Sequence, residues 1–397
     1  MNRLEDVIKT IKERIMPLSP VNKSLKEAYG CVLAEDAYAS MDQPPFPRSP
    51  LDGYALKAFD SAGASKDRPA ILKIVDDSFA GSPAKAFLED GCTVRIMTGG
   101  RIPDGADCVI RQENVDVEKD MLKIYQQLEK FENYCHRGED YQVGQLLAAK
   151  GSRLDAASVA VLASSGFINV QCVPKVRAAI LSTGDELRRP GSPLPMGCIY
   201  DSNEYYIHAR MKDYGIDCRC MDPAEDSMGN LILRIEEALE NTDLLITTGG
   251  VSVGEKDLVP NALRTMGAEV IFEGISVKPG MPTMAAVLDN KVILALSGNP
   301  FAAAVCFELL IKDVLNAMYG SDIYKSVRKT AILKNDFNKS SRIRRFIRGI
   351  YENGEVFIPA AQGNGQLSSM IGCNCLVDIP EGTGPLKKGG SVVISML

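Results

Sequence analysis

Apolar residues recur at helical spacing near the start of the chain. The repeat continues to Pro17, and its spacing of three or four positions predicts an amphipathic helix. The apolar positions are Leu4, Val7, Ile8, Ile11 and Ile15. The next segment, SLKEAYG over 24–30, begins with Ser and ends with Gly, which predicts a short capped helix.

The pattern then changes to short β-type runs. Four prolines in SMDQPPFPRSPLDGYAL (40–56) exclude regular structure there and predict a boundary, either a hinge or a loop that carries function. From 54 to 147, runs such as ILKIV and CTVRIM are separated by Gly, Pro and Asp. This texture predicts a small, mostly β domain.

Helical periodicity returns at 155–166, where Asp155 can cap the first turn and Gly166 can end the helix. Between 176 and 320, apolar strand-like runs alternate with helical segments, which is typical of a doubly wound parallel sheet covered on both faces. After 327 the β texture resumes, with a turn predicted at 352–354, and indicates a β-barrel-like C-terminal domain.

The predicted fold class is therefore a multidomain α/β protein. The predicted segments are an N-terminal helix and linking segment (1–45), a mostly β domain (46–145), a return segment of the linking domain (146–175), a doubly wound, mostly parallel α/β domain (176–322) and a C-terminal β-barrel-like domain (323–397). A length of 397 residues agrees with more than one domain.

Composition and charge narrow the class of protein. With 45% hydrophobic and 24% charged residues, the chain has the composition of a globular protein rather than of a disordered or fibrous one. A net charge of -6 disfavours nucleic acid or an anionic membrane as partner. The chain shows neither a signal-peptide pattern nor a membrane-length apolar run, and its 11 cysteines lack CxxC spacing. We therefore expect a cytoplasmic protein with reduced thiols.

Glycine-rich loops follow two of the predicted strands, at the sheet edge where ligands of open α/β folds bind. LLITTGGVSVGEKD exposes backbone N–H groups at Gly249, Gly250 and Gly254, where a phosphate could approach. Its GxxxxG spacing resembles a Walker A loop, but Glu255 and Lys256 replace the required Lys and Ser or Thr, which disfavours a P-loop NTPase. The loop's oxygen donors, of the type that Mg²⁺ prefers, are Ser252, Glu255 and Asp257.

Further polar loops belong to the same predicted edge. ALSGNP combines Gly298 with Asn299 as a possible cap and Pro300 at the first helical position. AAILSTGDEL supplies Thr183, Asp185 and Glu186, and SVKPGMPT supplies Lys278. Each loop alone is also compatible with an ordinary turn, a helix start or solvated surface charges. Their combination on one sheet edge favours an anion-binding site.

With three N-terminal motifs, these loops resemble the molybdopterin molybdenumtransferases, the MoeA and gephyrin E-domain family. The added motifs are SPLDGYAL (49–56), RIMTGGRIPDGADCVI (95–110) and HRGEDYQVGQLLAAKG (136–151). The resemblance is collinear over nearly the whole chain. It implies an L-shaped homodimer of four subdomains, in which the α/β domain binds molybdopterin.

The resemblance also implies a reaction. Adenylylated molybdopterin and molybdate would be the substrates, Mg²⁺ would assist cleavage of the pyrophosphate, and AMP would leave as molybdenum reaches the dithiolene sulfurs. A molybdopterin adenylyltransferase and proteins of molybdoenzyme maturation are the partners that it suggests.

Site residues follow from matching motif positions. The catalytic set would be Asp52, Thr98, Asp140, Glu186, Lys278 and Arg348. The substrate-binding set would be Thr183, Gly249, Gly250, Ser252, Gly254, Asp257, Ser297, Gly298, Asn299 and Pro300. The metal ligands would be Glu186, Asp226 and Asp257. Like charges repel, so molybdate is expected to meet Lys278, Arg348 and hydroxyls rather than the carboxylates.

Three departures from the family pattern leave other readings open. Met281 stands where many relatives have a second Lys, Ser297 where they have Pro, and Asn364 where many have Ser. A non-catalytic pterin-binding or scaffolding paralogue and a tungstate-using variant are therefore alternatives. A phosphate hydrolase on an unrelated α/β scaffold would explain the loops but not the N-terminal motifs.

Overall fold

The structure is a computed structural model that describes residues 2–85, 87–251 and 258–397. The predicted first helix is confirmed as α1 (Leu4–Arg14). It is followed by β1 (Val21–Ser24), β2 (Val32–Leu33) and β3 (Ala37–Tyr38). The helix predicted over 24–30 is wrong. Ser24 belongs to β1, and its carbonyl accepts the N–H groups of Glu27 and Ala28 in one turn, too short a run to propagate a helix.

A six-stranded mixed sheet fills the next segment, as the β texture predicted. Its strands are β4 (Gly53–Leu56), β5 (Ala70–Ser78), β6 (Cys92–Ile96), β7 (Cys108–Arg111), β8 (Val115–Glu118) and β9 (Met121–Ile124), in the order β7-β4-β6-β5-β9-β8. Gly53 is required where β4 meets β7, because a Cβ there would lie 1.9 Å from the Ile110 carbonyl oxygen.

The chain then returns to pair with its own N-terminal segment. The returning elements are β10 (Leu146–Ala148), α2 (Ala156–Ser164) and β11 (Asn169–Val173). The predicted cap is confirmed, since the Asp155 side chain accepts the Ser158 N–H at 2.8 Å. β11 pairs antiparallel with β1 and β2, and β10 pairs with β3.

The α/β region carries the site. Its strands are β12 (Ala178–Ser182), β13 (Leu187–Arg188), β14 (Ile199–Tyr200), β15 (Cys218–Cys220), β16 (Leu244–Thr248), β17 (Glu269–Glu273), β18 (Met284–Leu288) and β19 (Lys291–Leu296). Its helices are α3 (Asn203–Asp213), α4 (Met228–Leu239), α5 (Val259–Thr265) and α6 (Pro300–Tyr319).

The main sheet has the order β15-β12-β16-β19-β18-β17, with β13 and β14 forming a separate pair. The four strands β15, β12, β16 and β19 are parallel, so the prediction of a mostly parallel sheet is confirmed. β18 runs antiparallel to both neighbours. Its reversal follows from a two-residue turn at Asp289 and Asn290, whose φ values of 49° and 62° suit a type I′ hairpin.

Both faces of this sheet are buried. Ile180, Ile246 and Leu294 face one core with α1, α3 and α6, while Leu181 and Leu245 face a second core with α4 and α5. Successive side chains of each strand thus enter different cores, and both cores are apolar. This explains why these strands appear in the sequence as continuous apolar runs.

An ion pair aligns two helices of the first core. Arg210 of α3 donates through Nε and Nη2 to the two carboxylate oxygens of Glu308 in α6, at 2.6 and 3.1 Å. The Tyr206 hydroxyl donates to the same carboxylate at 3.0 Å. Glu308 is buried, so these bonds compensate its lost hydration and hold α3 beside α6.

The C-terminal segment is a closed five-stranded barrel, as predicted. Its strands are β20 (Arg328–Leu333), β21 (Arg345–Glu352), β22 (Glu355–Phe357), β23 (Cys375–Ile379) and β24 (Ser391–Met396), in the order β20-β22-β21-β23-β24. The turn predicted at 352–354 is confirmed by Asn353 and Gly354, which have φ of 49° and 85° between β21 and β22. 3₁₀ helices lie at Ala58–Ser61, Gln112–Asn114 and Leu367–Met370. Within the described ranges, no helix has both the length and the apolar character needed to span a membrane.

The packing of α1 against α6 yields a test of the fold. Ile11 is fully buried in the core that α1 shares with α6, so Ile11→Ala should lower the free energy of unfolding by about 2–5 kcal/mol. Lys9→Ala on the exposed face of the same helix is the control and should cost less than about 0.5 kcal/mol. Urea unfolding measures both, and equal effects would contradict this packing.

Candidate functional site

Three neighbouring parallel strands end at the same edge of the main sheet. Ser182 of β12 lies opposite Thr248 of β16, which lies opposite Leu296 of β19. The ladder continues into the loops, since the Thr183 N–H donates to the Thr248 carbonyl and the Gly249 N–H to the Leu296 carbonyl. The TGDEL, TGGVSVGEKD and SGNP motifs therefore begin side by side, as the sequence predicted.

The loop backbones approach so closely that side chains are excluded. Gly249 and Gly250 have φ of 92° and 63°, which favours glycine. A Cβ on Gly249 would lie 2.4 Å from the Thr183 carbonyl oxygen. A Cβ on Gly298 would lie 3.3 Å from the Gly249 Cα. Two glycine motifs thus bring main-chain atoms of three loops together.

A cavity of about 690 Å³ opens over this edge. The predicted site residues that line it are Thr183, Glu186, Asp226, Gly249, Gly250, Lys278, Ser297, Gly298, Asn299 and Pro300. Its lining residues all lie between Thr183 and Asn364. The predicted Ser252, Gly254 and Asp257 lie outside the described residues.

Lys278 lies where the α/β region meets the barrel. Its N–H donates to the Arg344 carbonyl and its own carbonyl accepts the Phe346 N–H, both at 2.9 Å. The next glycine is tightly enclosed, because a Cβ on Gly280 would lie 2.1 Å from Cys306 Sγ in α6. The barrel and α6 thereby fix the backbone that carries this ammonium group.

Helix α6 begins at the cavity, and Pro300 occupies its first turn as predicted. The expected cap is different, because the Asn299 side chain makes no capping hydrogen bond. The Phe301 N–H donates instead to the backbone carbonyl of Asn364, at 3.0 Å. A loop of the barrel therefore caps α6, and Asn364 itself lines the cavity.

Arg348 does not line the cavity, which corrects the expectation that its guanidinium faces the anion. The side chain is fully buried and stacks on the Phe301 ring, with Cζ 3.6 Å from the ring centroid. Nη2 donates to the Gly363 carbonyl at 2.7 Å, and Nε to the Ala361 carbonyl at 3.3 Å. Burial lowers the pKa of Arg348. Arg348 thus supports the loop that caps α6.

Asp52 and Thr98 lie together at one end of the N-terminal β sheet, just before β4 and just after β6. The Thr98 N–H and hydroxyl both donate to Asp52 Oδ1, at 2.7 and 2.8 Å. These bonds, the backbone one first, lower the pKa of the Asp52 carboxyl, so it is ionised at neutral pH. Asp140 is exposed, and its N–H donates to the Gln43 carbonyl. In the single chain, all three lie outside the cavity.

Sequence reasoning missed the DSN tripeptide 201–203. The Asn203 side chain lines the cavity, and its Nδ2 donates to the Gly298 carbonyl at 2.9 Å. Asp201 Oδ1 accepts the N–H groups of Asn203 and Glu204, and so caps α3. Three polar residues before a helix, in the loop next to TGDEL, were the available signal.

The donor set suits a hard divalent cation only in part. Glu186 and Asp226 are both among the residues that line the cavity. In the part of the chain that the structure describes, no three His, Cys, Asp or Glu residues form a group able to hold a metal ion. Two carboxylates still fit Mg²⁺, which proteins commonly hold through one or two carboxylates together with substrate phosphates.

Sequence comparisons define the class of protein as MoeA-type. Three family models match successive parts of the chain: the MoeA N-terminal region, domains I and II, at 2–166; a probable molybdopterin binding domain at 179–317; and the MoeA C-terminal region, domain IV, at 330–397. A crystal structure of the molybdopterin biosynthesis MoeA protein of Pyrococcus horikosii superposes with a TM-score of 0.85 and 30% identity, covering 99% of this chain and 98% of that one.

The curated relatives carry a more specific name. A molybdopterin molybdenumtransferase of Staphylococcus epidermidis is 33% identical over 394 residues, which cover 98% of this chain and 94% of that protein. A Staphylococcus aureus enzyme of the same name is 33% identical over 396 residues, with the same coverage of each chain. The chain belongs to the molybdopterin molybdenumtransferase (MoeA) family. The resemblance drawn from its motifs is thereby confirmed.

The Asn203 contact can be tested without an activity assay. Asn203→Ala should lower the free energy of unfolding by about 1–3 kcal/mol, because it leaves the Gly298 carbonyl without its donor. It should also speed amide hydrogen exchange in the 297–300 loop. Lys212→Ala, at an exposed position of the same helix, is the control. Unchanged exchange at 297–300 would show that this bond does not order the loop.

Proposed function

We propose that this protein inserts molybdenum from molybdate into adenylylated molybdopterin and releases AMP, the last step of molybdenum cofactor synthesis. The observation that carries the proposal is the cavity over the main sheet. Two glycine loops, a helix N-terminus, a lysine and two carboxylates converge there in a chain that matches MoeA models along its length. This donor set suits a substrate that contains a diphosphate.

The chain's own groups supply much of the anion binding. Gly250 and Gly298 line the cavity without side chains, so phosphate oxygens could approach their backbone closely, and the N-terminus of α6 adds a favourable dipole. Lys278 supplies a full positive charge on a backbone held from two sides. These groups would orient the diphosphate and stabilise the charge that develops on the leaving phosphate.

We further propose that Glu186 and Asp226 hold Mg²⁺ together with a phosphate of the substrate. Mg²⁺, when bound, neutralises phosphate charge and polarises the bond to be cleaved. The two carboxylates carry charge of the same sign as molybdate, so the oxyanion would instead meet the Lys278 ammonium and the Ser297 hydroxyl. Met281 also lines the cavity, so this position, where the family resemblance implies a second lysine, adds no positive charge.

The N-terminal acids are assigned to a second copy of the chain. Asp52, Thr98 and Asp140 lie outside the cavity of their own chain, although they match motif positions of the family. In a two-fold homodimer the N-terminal β sheet of one copy would reach the cavity of the other. The completed site would then contain residues from both subunits.

The direct test is AMP release by purified protein supplied with adenylylated molybdopterin, Mg²⁺ and molybdate. We expect AMP to appear only when molybdate is present, and EDTA to suppress it. Omitting molybdate is the control for simple hydrolysis. Tight pterin binding without AMP would favour the non-catalytic paralogue, and a faster reaction with tungstate would favour the tungstate-using variant.

Subunit sharing is tested by mixing two inactive variants. Asp52→Ala and Glu186→Ala should each abolish turnover, with thermal unfolding nearly unchanged because both side chains lie at the protein surface or cavity wall. Random re-association gives half heterodimers, each with one intact site, so mixing should restore about a quarter of wild-type activity. A mixture that stays inactive, although the subunits exchange, would place both residues in the same chain's site.

A further inference from the structure

A second concave surface, of about 410 Å³, borders the segment 275–278 that leads to and includes Lys278, here called the lysine loop. Lys278 lines the cavity over the main sheet, whereas Ser276 of the same loop lines the second surface. The other residues around the second surface belong to the start of α1 (3–6) and to the C-terminal region, with Arg344 and Asp378 among them. Both ends of the chain thus meet at the lysine loop.

Backbone bonds attach the lysine loop to each of these ends. Asn2 forms a parallel β-bridge with Ile275, and its carbonyl accepts the Ser276 N–H at 2.7 Å. At the other end of the loop, the Lys278 N–H donates to the Arg344 carbonyl at 2.9 Å. The loop is therefore held between two segments that are far apart in the sequence.

An ion-pair network joins these two segments to each other. Arg344 donates through Nε and Nη2 to the two carboxylate oxygens of Asp378 in β23, at 2.8 and 2.6 Å. Its Nη1 donates to Glu5 in the first turn of α1. We call Glu5, Arg344 and Asp378 the Arg344 clamp. It closes a ring of contacts, because the lysine loop bonds to Asn2, the chain runs from Asn2 to Glu5, Glu5 pairs with Arg344, and the Arg344 carbonyl bonds to Lys278.

The members of the clamp differ in burial. The side chains of Arg344 and Asp378 are 19% and 9% exposed, while that of Glu5 is 62% exposed. A bidentate ion pair at this burial has a fixed geometry and is costly to break. An ion pair with an exposed carboxylate contributes less. Asp378 is therefore the main restraint on Arg344, and Glu5 is the weaker one.

We propose that Arg344 is a positioning residue for Lys278, and that the Arg344 clamp holds the backbone of the lysine in place for anion binding in the cavity. The proposal rests on the proposed function, in which the Lys278 ammonium binds the anionic substrate. Arg344 lines the second surface and not the cavity, so it acts through the Lys278 backbone rather than by touching the substrate. A backbone that is already restrained loses less conformational freedom when the anion binds.

Amide hydrogen exchange tests the clamp without a substrate. Asp378→Asn keeps the shape of the side chain but removes its charge and one acceptor, so the Lys278 amide should exchange at least about tenfold faster. Glu5→Gln leaves the bidentate pair intact, should have a smaller effect in the same direction, and decides the test if Asp378→Asn does not fold. Arg14→Ala is the matched control, because Arg14 also pairs α1 with the main sheet, through Glu269. Exchange of the Lys278 amide at the wild-type rate in the clamp variants would overturn the proposal.

Charge and position predict opposite results for anion binding. The probe is inorganic pyrophosphate, titrated into the full-length protein and followed by calorimetry. If only charge mattered, Asp378→Asn would bind pyrophosphate more tightly, because a negative charge is removed. The clamp instead predicts about threefold weaker binding, since the Lys278 backbone is no longer held. Tighter or unchanged binding in Asp378→Asn, or no binding by wild-type protein, would contradict the proposal.

A double-mutant cycle separates a positioning role from a general structural one. If Arg344 acts through Lys278, Arg344→Ala should weaken pyrophosphate binding about threefold or more in the wild-type background and have no further effect in Lys278→Ala. Arg14→Ala removes the same charge and should leave the affinity unchanged. Equal effects of Arg344→Ala in both backgrounds would show that the clamp only stabilises the fold.

The combined results separate this proposal from the proposed function. If Lys278→Ala weakens pyrophosphate binding while the clamp variants change neither exchange nor affinity, the positioning role is refuted and the function stands. If the clamp variants weaken binding through Lys278, yet wild-type protein shows no molybdate-dependent AMP release, the function fails and the positioning role stands.

Discussion

The close contact between the backbones of three strand-end loops is the constraint on which the rest of the site depends. Gly249 is held in a left-handed conformation against the Thr183 carbonyl, and Gly298 packs against the Gly249 Cα. The contact is possible only because the parallel strands β12, β16 and β19 end in register. Main-chain groups, rather than long side chains, therefore form the floor of the cavity, and their positions are fixed by the sheet itself.

Residues of the barrel form the part of the cavity wall that the loops of the main sheet leave open. Asn364 caps α6 through its carbonyl, and the buried Arg348 holds the same loop by two carbonyl contacts while it stacks on Phe301. Lys278 is fixed by main-chain bonds to the residues on either side of Arg345. The C-terminal region is therefore part of the cavity wall, and loss of its packing would release both the helix N-terminus and the lysine.

The sequence predicted correctly those features that depend on residues close together along the chain. The Asp155 cap, the Asn353-Gly354 turn and the glycine loops depend on residues a few positions apart, and they were recognised correctly. The helix expected over 24–30 failed because long-range backbone bonds override local propensity. Ser24 pairs with β11, and the N–H groups of Leu25 and Gly30 donate to the carbonyls of Ile168 and Leu154. Asn203, Asn364 and Arg348 were missed or misread for the same reason. Their roles come from contacts with Gly298, Phe301 and the 361–363 loop, which no local spacing reveals.

The balance of charge explains how such a cavity would handle an anion. Among its lining residues that the structure describes, Glu186 and Asp226 carry negative charge and Lys278 is the one cation. Carboxylates oppose the approach of an anion such as a diphosphate or an oxyanion, and the lysine favours it. Backbone N–H groups and the α6 dipole reduce this repulsion but contribute only partial charges. If Asp52, whose pKa is lowered by Thr98, joins the cavity from a second subunit, it adds another negative charge. A divalent cation held by these acids would offset their charge beside a bound anion, which is the physical reason for proposing Mg²⁺ at this site.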